Sequence, residues 1–170
     1  PVDWLCGMAE QRLRPWAVED FSAAFLKFKN GASGLVHAAE LTDYTDHAFE
    51  LRGSKSVMRM HGEKVQLLQS QLTLSEADSG FEWSRLQETE IEHPTPVSTY
   101  VAALDELVKA LEGNATLRND GCVGRRSLEM VNAVYQSQLA GNRPVTFPVS
   151  LRASGVEALR QAGQFRATDS

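Results

Sequence analysis

The chain has 170 residues, a net charge of −5 and 42% hydrophobic against 23% charged residues, which suits one globular domain. The acidic field disfavours a polyanion, and Arg125-Arg126 is the one adjacent basic pair, so nucleic acid is not an expected partner. No apolar run reaches the roughly 18 residues of a membrane span and no signal-peptide pattern opens the chain, so a cytoplasmic setting is expected.

Residues 1–7 suggest the end of a helix. Val2, Leu5 and Cys6 fall at i, i+3 and i+4, and Gly7 is placed as a C-terminal cap. A single turn does not sustain itself, so either the first residues are frayed or the helix begins upstream of Pro1, with removal of an initiator Met before Pro1 as the plain alternative. A β-rich stretch follows, with strands expected at 21–29, 34–42, 47–52, 57–61, 64–68, 71–75 and 81–86. Asn30-Gly31, Gly62-Glu63 and Asp78-Ser79-Gly80 punctuate them as turns. Successive strands with short turns predict an antiparallel meander. In the strand at 21–29, Phe21, Ala23 and Phe25 share one face while Ala24, Leu26 and Phe28 share the other. Both faces are apolar, so a cover is expected on each, and a second subunit or domain is the natural second cover.

Pro94 and Pro96 end the β-rich part. A helix is predicted from Ser98 or Thr99 to Glu112, with Val101, Leu104, Val108 and Leu111 on one face. Asp120 caps the next, striped by Leu128, Val131 and Tyr135 and closed by Gly141. A short strand at 145–148 and a last helix at 156–164 complete the chain. The expected fold class is α+β: a largely antiparallel, open-faced sheet with helices packed on one face.

Motifs for chemistry are sparse. No GxG occurs, nor a Walker loop, HExxH or GxSxG, so no catalytic, cofactor-binding or metal-binding set is expected within the chain. Cys6 and Cys122 belong to no CxxC pair and are expected to be reduced thiols. The best polar constellation is Asp43-Tyr44-Thr45-Asp46-His47. Carboxylates, a phenol and an imidazole on one loop can hold a polyhydroxylated ligand or move a proton. The same residues also suit a plain turn. His37, His61 and His93 have no second ligand at metal spacing.

The order of VDWLCG (2–7), FELRGSKSVMRMHG (49–62), DGCVGRRSLEMVNAVYQS (120–137) and GNRPVTFP (141–148) resembles the C-terminal domain of the Gfo/Idh/MocA oxidoreductases, the glucose–fructose oxidoreductase and inositol dehydrogenase relatives. The resemblance runs from Val2 to about Pro148 and leaves 149–170 as a C-terminal extension. Ser56 departs from it, where relatives carry Gly. It implies that residues 1–170 form one substrate-binding and oligomerisation domain of a two-domain dehydrogenase. The partner domain would be an N-terminal Rossmann domain that binds NAD or NADP and carries a catalytic Lys. It also implies a homo-oligomer through the open sheet and a sugar, polyol or similar small-molecule substrate. The last Asp of a D-x-x-x-H-x-x-D motif matches Asp3, which places the His just before Pro1 and makes Asp3 a substrate ligand. Tyr44 and Asp46 fall on a loop that lines the substrate in sugar-specific relatives. The isolated chain is then expected to be inactive. A stand-alone oligomerisation module and a small-ligand-binding domain remain the alternatives.

Overall fold

A computed structural model describes residues 1–14, 16–42, 44–62, 64–70, 86–91, 98–149 and 154–165. It divides into two compact units, one of Pro1–Asp43 with Asp105–Ser170, the other of Tyr44–Leu104.

In the first unit, β1 (Val2–Glu10), β2 (Phe21–Phe28) and β3 (Ser33–Ala39) form an antiparallel sheet. The two-residue strand β8 (Val145–Thr146) pairs with β1, giving the order β3-β2-β1-β8. The helical turn expected at residues 1–7 is therefore a strand. Three apolar positions over one turn are too few to fix a helical period, and pairing with β2 decides the conformation. Leu5, Gly7 and Ala9 are buried while their neighbours are only half-buried, which is a period of two. Tertiary pairing with β2 overrides a short, ambiguous local pattern.

Helix α2 (Gly121–Leu139) covers one face of this sheet. The Asp120 carboxylate caps it by accepting from Val123 N, as expected, and Gly141 follows its end at φ 75°. Of its expected stripe, Tyr135 is buried as expected. Met130, Ala133 and Val134 meet Leu5, Ala24, Leu26 and Val145, whereas Leu128 and Val131 are exposed. Ala133 is small enough to let the helix lie close to the sheet. The glycine at position 7 serves the same approach: its N–H donates to Ser137 Oγ at 2.9 Å. A Cβ there would stand 3.1 Å from Ala23 O and 3.2 Å from Val134 Cγ1. Helix α3 (Gly155–Gln161) packs on α2 through Leu159, beside Tyr135, Ala9 and Phe165.

In the second unit, β4 (Ala48–Arg52), β5 (Ser56–His61), β6 (Lys64–Ser70) and β7 (Leu86–Thr89) make a separate antiparallel meander in chain order. The α+β class and antiparallel pairing are as expected, but the described strands fall in two sheets. The strand expected at 71–75 and most of that at 81–86 lie outside the described residues. Helix α1 (Thr99–Leu111) matches its expected span, yet none of its residues is buried. Its stripe of Val101, Leu104, Val108 and Leu111 is exposed rather than packed.

Candidate functional site

Residues directly opposite in a ladder point to the same face, so register sorts the second sheet into a polar and an apolar side. Ala48 opposes His61, Glu50 opposes Arg59 and Arg52 opposes Val57. Glu50, Arg52, Arg59 and His61 therefore share one face, and Phe49, Leu51, Met58 and Met60 share the other. On the polar face Arg59 Nε donates to Glu50 Oε2 at 2.6 Å, and Arg52 donates to the other oxygen. These hydrogen bonds, Arg59 first and Arg52 next, hold the Glu50 carboxyl below its ordinary range. Gln66 reaches Glu88 on the same face at 3.2 Å.

Asp46 lies just ahead of β4, two residues before the cross-strand partner of His61. Its Oδ1 stands 2.6 Å from His61 Nε2. The Gly62 N–H donates to the His47 carbonyl at 2.9 Å and closes the ladder beside the pair. A carboxylate only accepts, so the contact places the imidazole proton on Nε2. That leaves Nδ1 as an acceptor in the neutral ring and as a donor in the charged one. Asp46 keeps Oδ2 for a further donor. Tyr44 is 71% exposed in the same unit. Asp43 lies outside the described residues.

Of the three expected site residues, the structure thus sets Asp46 in a specific contact and leaves Tyr44 on the surface of the same unit. Asp3 belongs to the first unit and is exposed in β1, where the register shifts between Val2 and Trp4. Its setting is a strand. His61 was missed. The signal was available in the hairpin itself: counting the register through Gly53-Ser54-Lys55 puts residue 61 beside residue 46.

The residues present do not fit a dinucleotide. A bound pyrophosphate sits at a helix N-terminus that follows a strand, with glycines letting the backbone approach. The glycine-rich start of α2 is the nearest counterpart, and there the Asp120 carboxylate occupies the N-terminal amide with negative charge. Among the described residues, no group of three or more His, Cys, Asp or Glu is placed to hold a metal. No described helix is long and apolar enough to cross a membrane.

Antiparallel strands with helix α2 packed on one face define an α+β fold in the first unit. The chain belongs to the Gfo/Idh/MocA oxidoreductases: residues 3–147 match the model of the "oxidoreductase family, C-terminal alpha/beta domain". No curated protein matches it. Among solved structures it is similar to the WlbA dehydrogenase of Bordetella pertussis, in complex with NADH and UDP-GlcNAcA. That likeness has 21% identity and a TM-score of 0.62 over 88% of this chain and 40% of the other. Levoglucosan dehydrogenase, in complex with NADH and levoglucosan, is similar at 15% identity and a TM-score of 0.68, over 86% of this chain and 45% of the other. An oxidoreductase domain protein from Kribbella flavida is similar at 15% identity and a TM-score of 0.65, over 86% and 44%. At these identities the likeness is one of fold, and the chain spans less than half the length of each.

Proposed function

We propose that this chain is the substrate-side domain of an NAD(H)-dependent dehydrogenase that acts on a sugar, polyol or similar hydroxylated molecule. The observation that carries the reading is the family match over residues 3–147. Two structural neighbours hold NADH beside a sugar or nucleotide-sugar ligand, which supports the cofactor and substrate class. In this reading an N-terminal Rossmann domain supplies the dinucleotide site and NADP is the competing cofactor. The dehydrogenase works in the cytoplasm.

The ligand site is the polar face around Asp46, His61 and Tyr44. Asp46 Oδ2 accepts from one substrate hydroxyl, and His61, fixed by Oδ1, offers Nδ1 to a neighbouring one. Fixing the ring matters because an oriented hydrogen bond loses less freedom when the ligand arrives. In the full-length dehydrogenase, Asp46→Asn and His61→Gln each raise KM about tenfold or more, the value of one hydrogen bond to a charged group. Unchanged KM in both variants overturns this placement. Asp3 enters separately: Asp3→Asn raises KM if its carboxylate holds a substrate hydroxyl, and wild-type kinetics would remove it from the site.

The open face of the first sheet serves association. Register puts Trp4, Cys6, Met8, Phe21, Phe25, Leu35 and His37 on the side that faces away from Leu5 and Leu26. Leu35 is 83% exposed there. Leu35→Glu sets a charge on that face and turns a homo-oligomer into a monomer, read by light scattering.

A further inference from the structure

The polar face of the second sheet carries one cation more than its cross-strand pairing uses. Glu50 and Arg59 stand directly opposite in the ladder, and a facing pair of opposite charge is an ordinary stabilising arrangement there. Arg59 Nε donates to Glu50 Oε2 at 2.6 Å, which already satisfies the pair. Arg52 then donates its own Nε to Glu50 Oε1. Two guanidiniums on one carboxylate leave a positive charge over, because a guanidinium keeps its proton. Arg52 and Arg59 are also diagonal neighbours on that face, where like charges repel.

The other charges of the face leave this surplus in place. Asp46 touches His61 and Lys64 opposes His61, one charge of each sign, so that end is balanced. Glu88 stands three strands from Arg52, across Val57 and Leu68, which is roughly 14 Å at the usual strand spacing. That exceeds the Debye length of about 10 Å at 0.1 M salt, so salt screens the two charges from each other.

The surplus charge comes with a shape. Each guanidinium is held by its Nε, and among the described residues neither donates from its Nη groups to a protein acceptor. The Arg52 side chain is 64% exposed and that of Arg59 46%, so these groups are open to a ligand. A guanidinium fork matches the two oxygens of a carboxylate or a phosphate. Glu50 fixes both forks in advance, which reduces the freedom they lose on gripping an anion. The same two hydrogen bonds hold the Glu50 carboxyl below its ordinary range, so the clamp persists at neutral pH. Arg59 and His61 are alternate residues of β5, on one face and roughly 7 Å apart. An anion on the forks therefore lies beside the Asp46–His61 pair.

We propose that Arg52 and Arg59, clamped by Glu50, bind an oxyanion of the substrate, which makes that substrate a hydroxylated carboxylic acid or a phosphorylated sugar rather than a neutral sugar. This substrate class rests on the ligand site placed above at Asp46, His61 and Tyr44. The test is an NMR titration of the 170-residue chain at low salt with glucose, glucuronate and glucose 6-phosphate. It follows the Nε–H signals of Arg52 and Arg59 and the amides of Asp46 and His61. At least one anionic probe is expected to shift both arginine signals and to bind about fivefold tighter than glucose, the scale of exposed charge pairs. Glucuronate ahead of glucose 6-phosphate assigns a carboxylate, and the reverse order a phosphate. Arg52→Gln and Arg59→Gln are each expected to remove the preference for the anion and to leave glucose binding unchanged. Arg59→Lys, which keeps the charge without the fork, is expected to retain part of it. The amide spectrum confirms the fold of each variant, and should one Gln variant lose it, the other decides. Glucose binding as tightly as both anionic probes, or an anion preference that survives the Gln variants, overturns the oxyanion site and leaves the hydroxyl site standing. No shift at Asp46, Arg52, Arg59 or His61 with any probe at millimolar concentration overturns both.

Discussion

Two side chains and one missing side chain set the tolerances of the first unit. At Gly7 the space for a Cβ is bounded by backbone at 3.1 Å, and backbone does not move aside cheaply. Gly7→Ala forces α2 off the sheet and loosens the Gly7–Ser137 bond. A cost of roughly 1–3 kcal/mol is expected, as for other overpacked cores, and urea unfolding measures it. Asp20 is buried, and burial by itself raises the carboxyl's pKa. The hydrogen bonds from the backbone of Arg14, Arg12 and Leu13 outweigh it and leave the value below the ordinary range near 3.8. A folded value below the unfolded one means that this carboxylate stabilises the fold above about pH 4. The contribution fades as pH falls through the folded value. Asp20→Asn should therefore flatten the acid limb of the stability curve below about pH 4, seen by thermal melts across pH. A limb identical to wild type would show that Arg12, Leu13 and Arg14 are held without that charge. Tyr135 makes the complementary case, since burial, then the Glu19 hydrogen bond and charge, push its phenol above the ordinary value. It stays a neutral donor throughout the range in which the protein folds.

At the scale of elements, the sequence made most of the secondary structure legible where turn chemistry and periodicity agreed. Gly31 at φ 89° opens the β2–β3 hairpin, and Asp120 and Gly141 bracket α2. The misreading at residues 1–7 has a physical cause. Val2, Leu5 and Cys6 satisfy a helical spacing over one turn, but eight residue pairs with β2 and the close approach of α2 at Gly7 are long-range facts. Local pattern does not contain them. Part of the α2 stripe was displaced for a similar reason, because Ala133 and Ser137 are too small and too polar to register as core, yet closeness to the sheet requires them. For the proposed site, Tyr44 and Asp46 stood out as members of a polar loop that the family resemblance marks. His61 needed the register of the β4–β5 hairpin. That pairing yields a sharp expectation: His61→Gln and Asp46→Asn together should raise substrate KM by less than the product of the two single changes, because each single change also disturbs the other residue through their shared contact. A fully additive double variant would mean that each contacts the ligand alone.

At the scale of the molecule, each unit carries one part of the account. The first unit has a helix-covered face and an open, ring-rich face, the one proposed above for association. The second unit has a sheet with a polar side, where paired groups can recognise hydroxyls. Among the described residues neither shows the strand–glycine turn–helix arrangement that holds a pyrophosphate, and Asp120 sets negative charge at the nearest counterpart. The family places such a chain at the C-terminal end of an oxidoreductase, which gives this division of labour a reason. The most direct measurement is a fluorescence titration with NADH, run on the 170-residue chain and on the same chain preceded by its N-terminal dinucleotide-binding domain. The account predicts saturable binding by the longer protein and none by the 170 residues alone. Saturable micromolar binding by the 170 residues would contradict it.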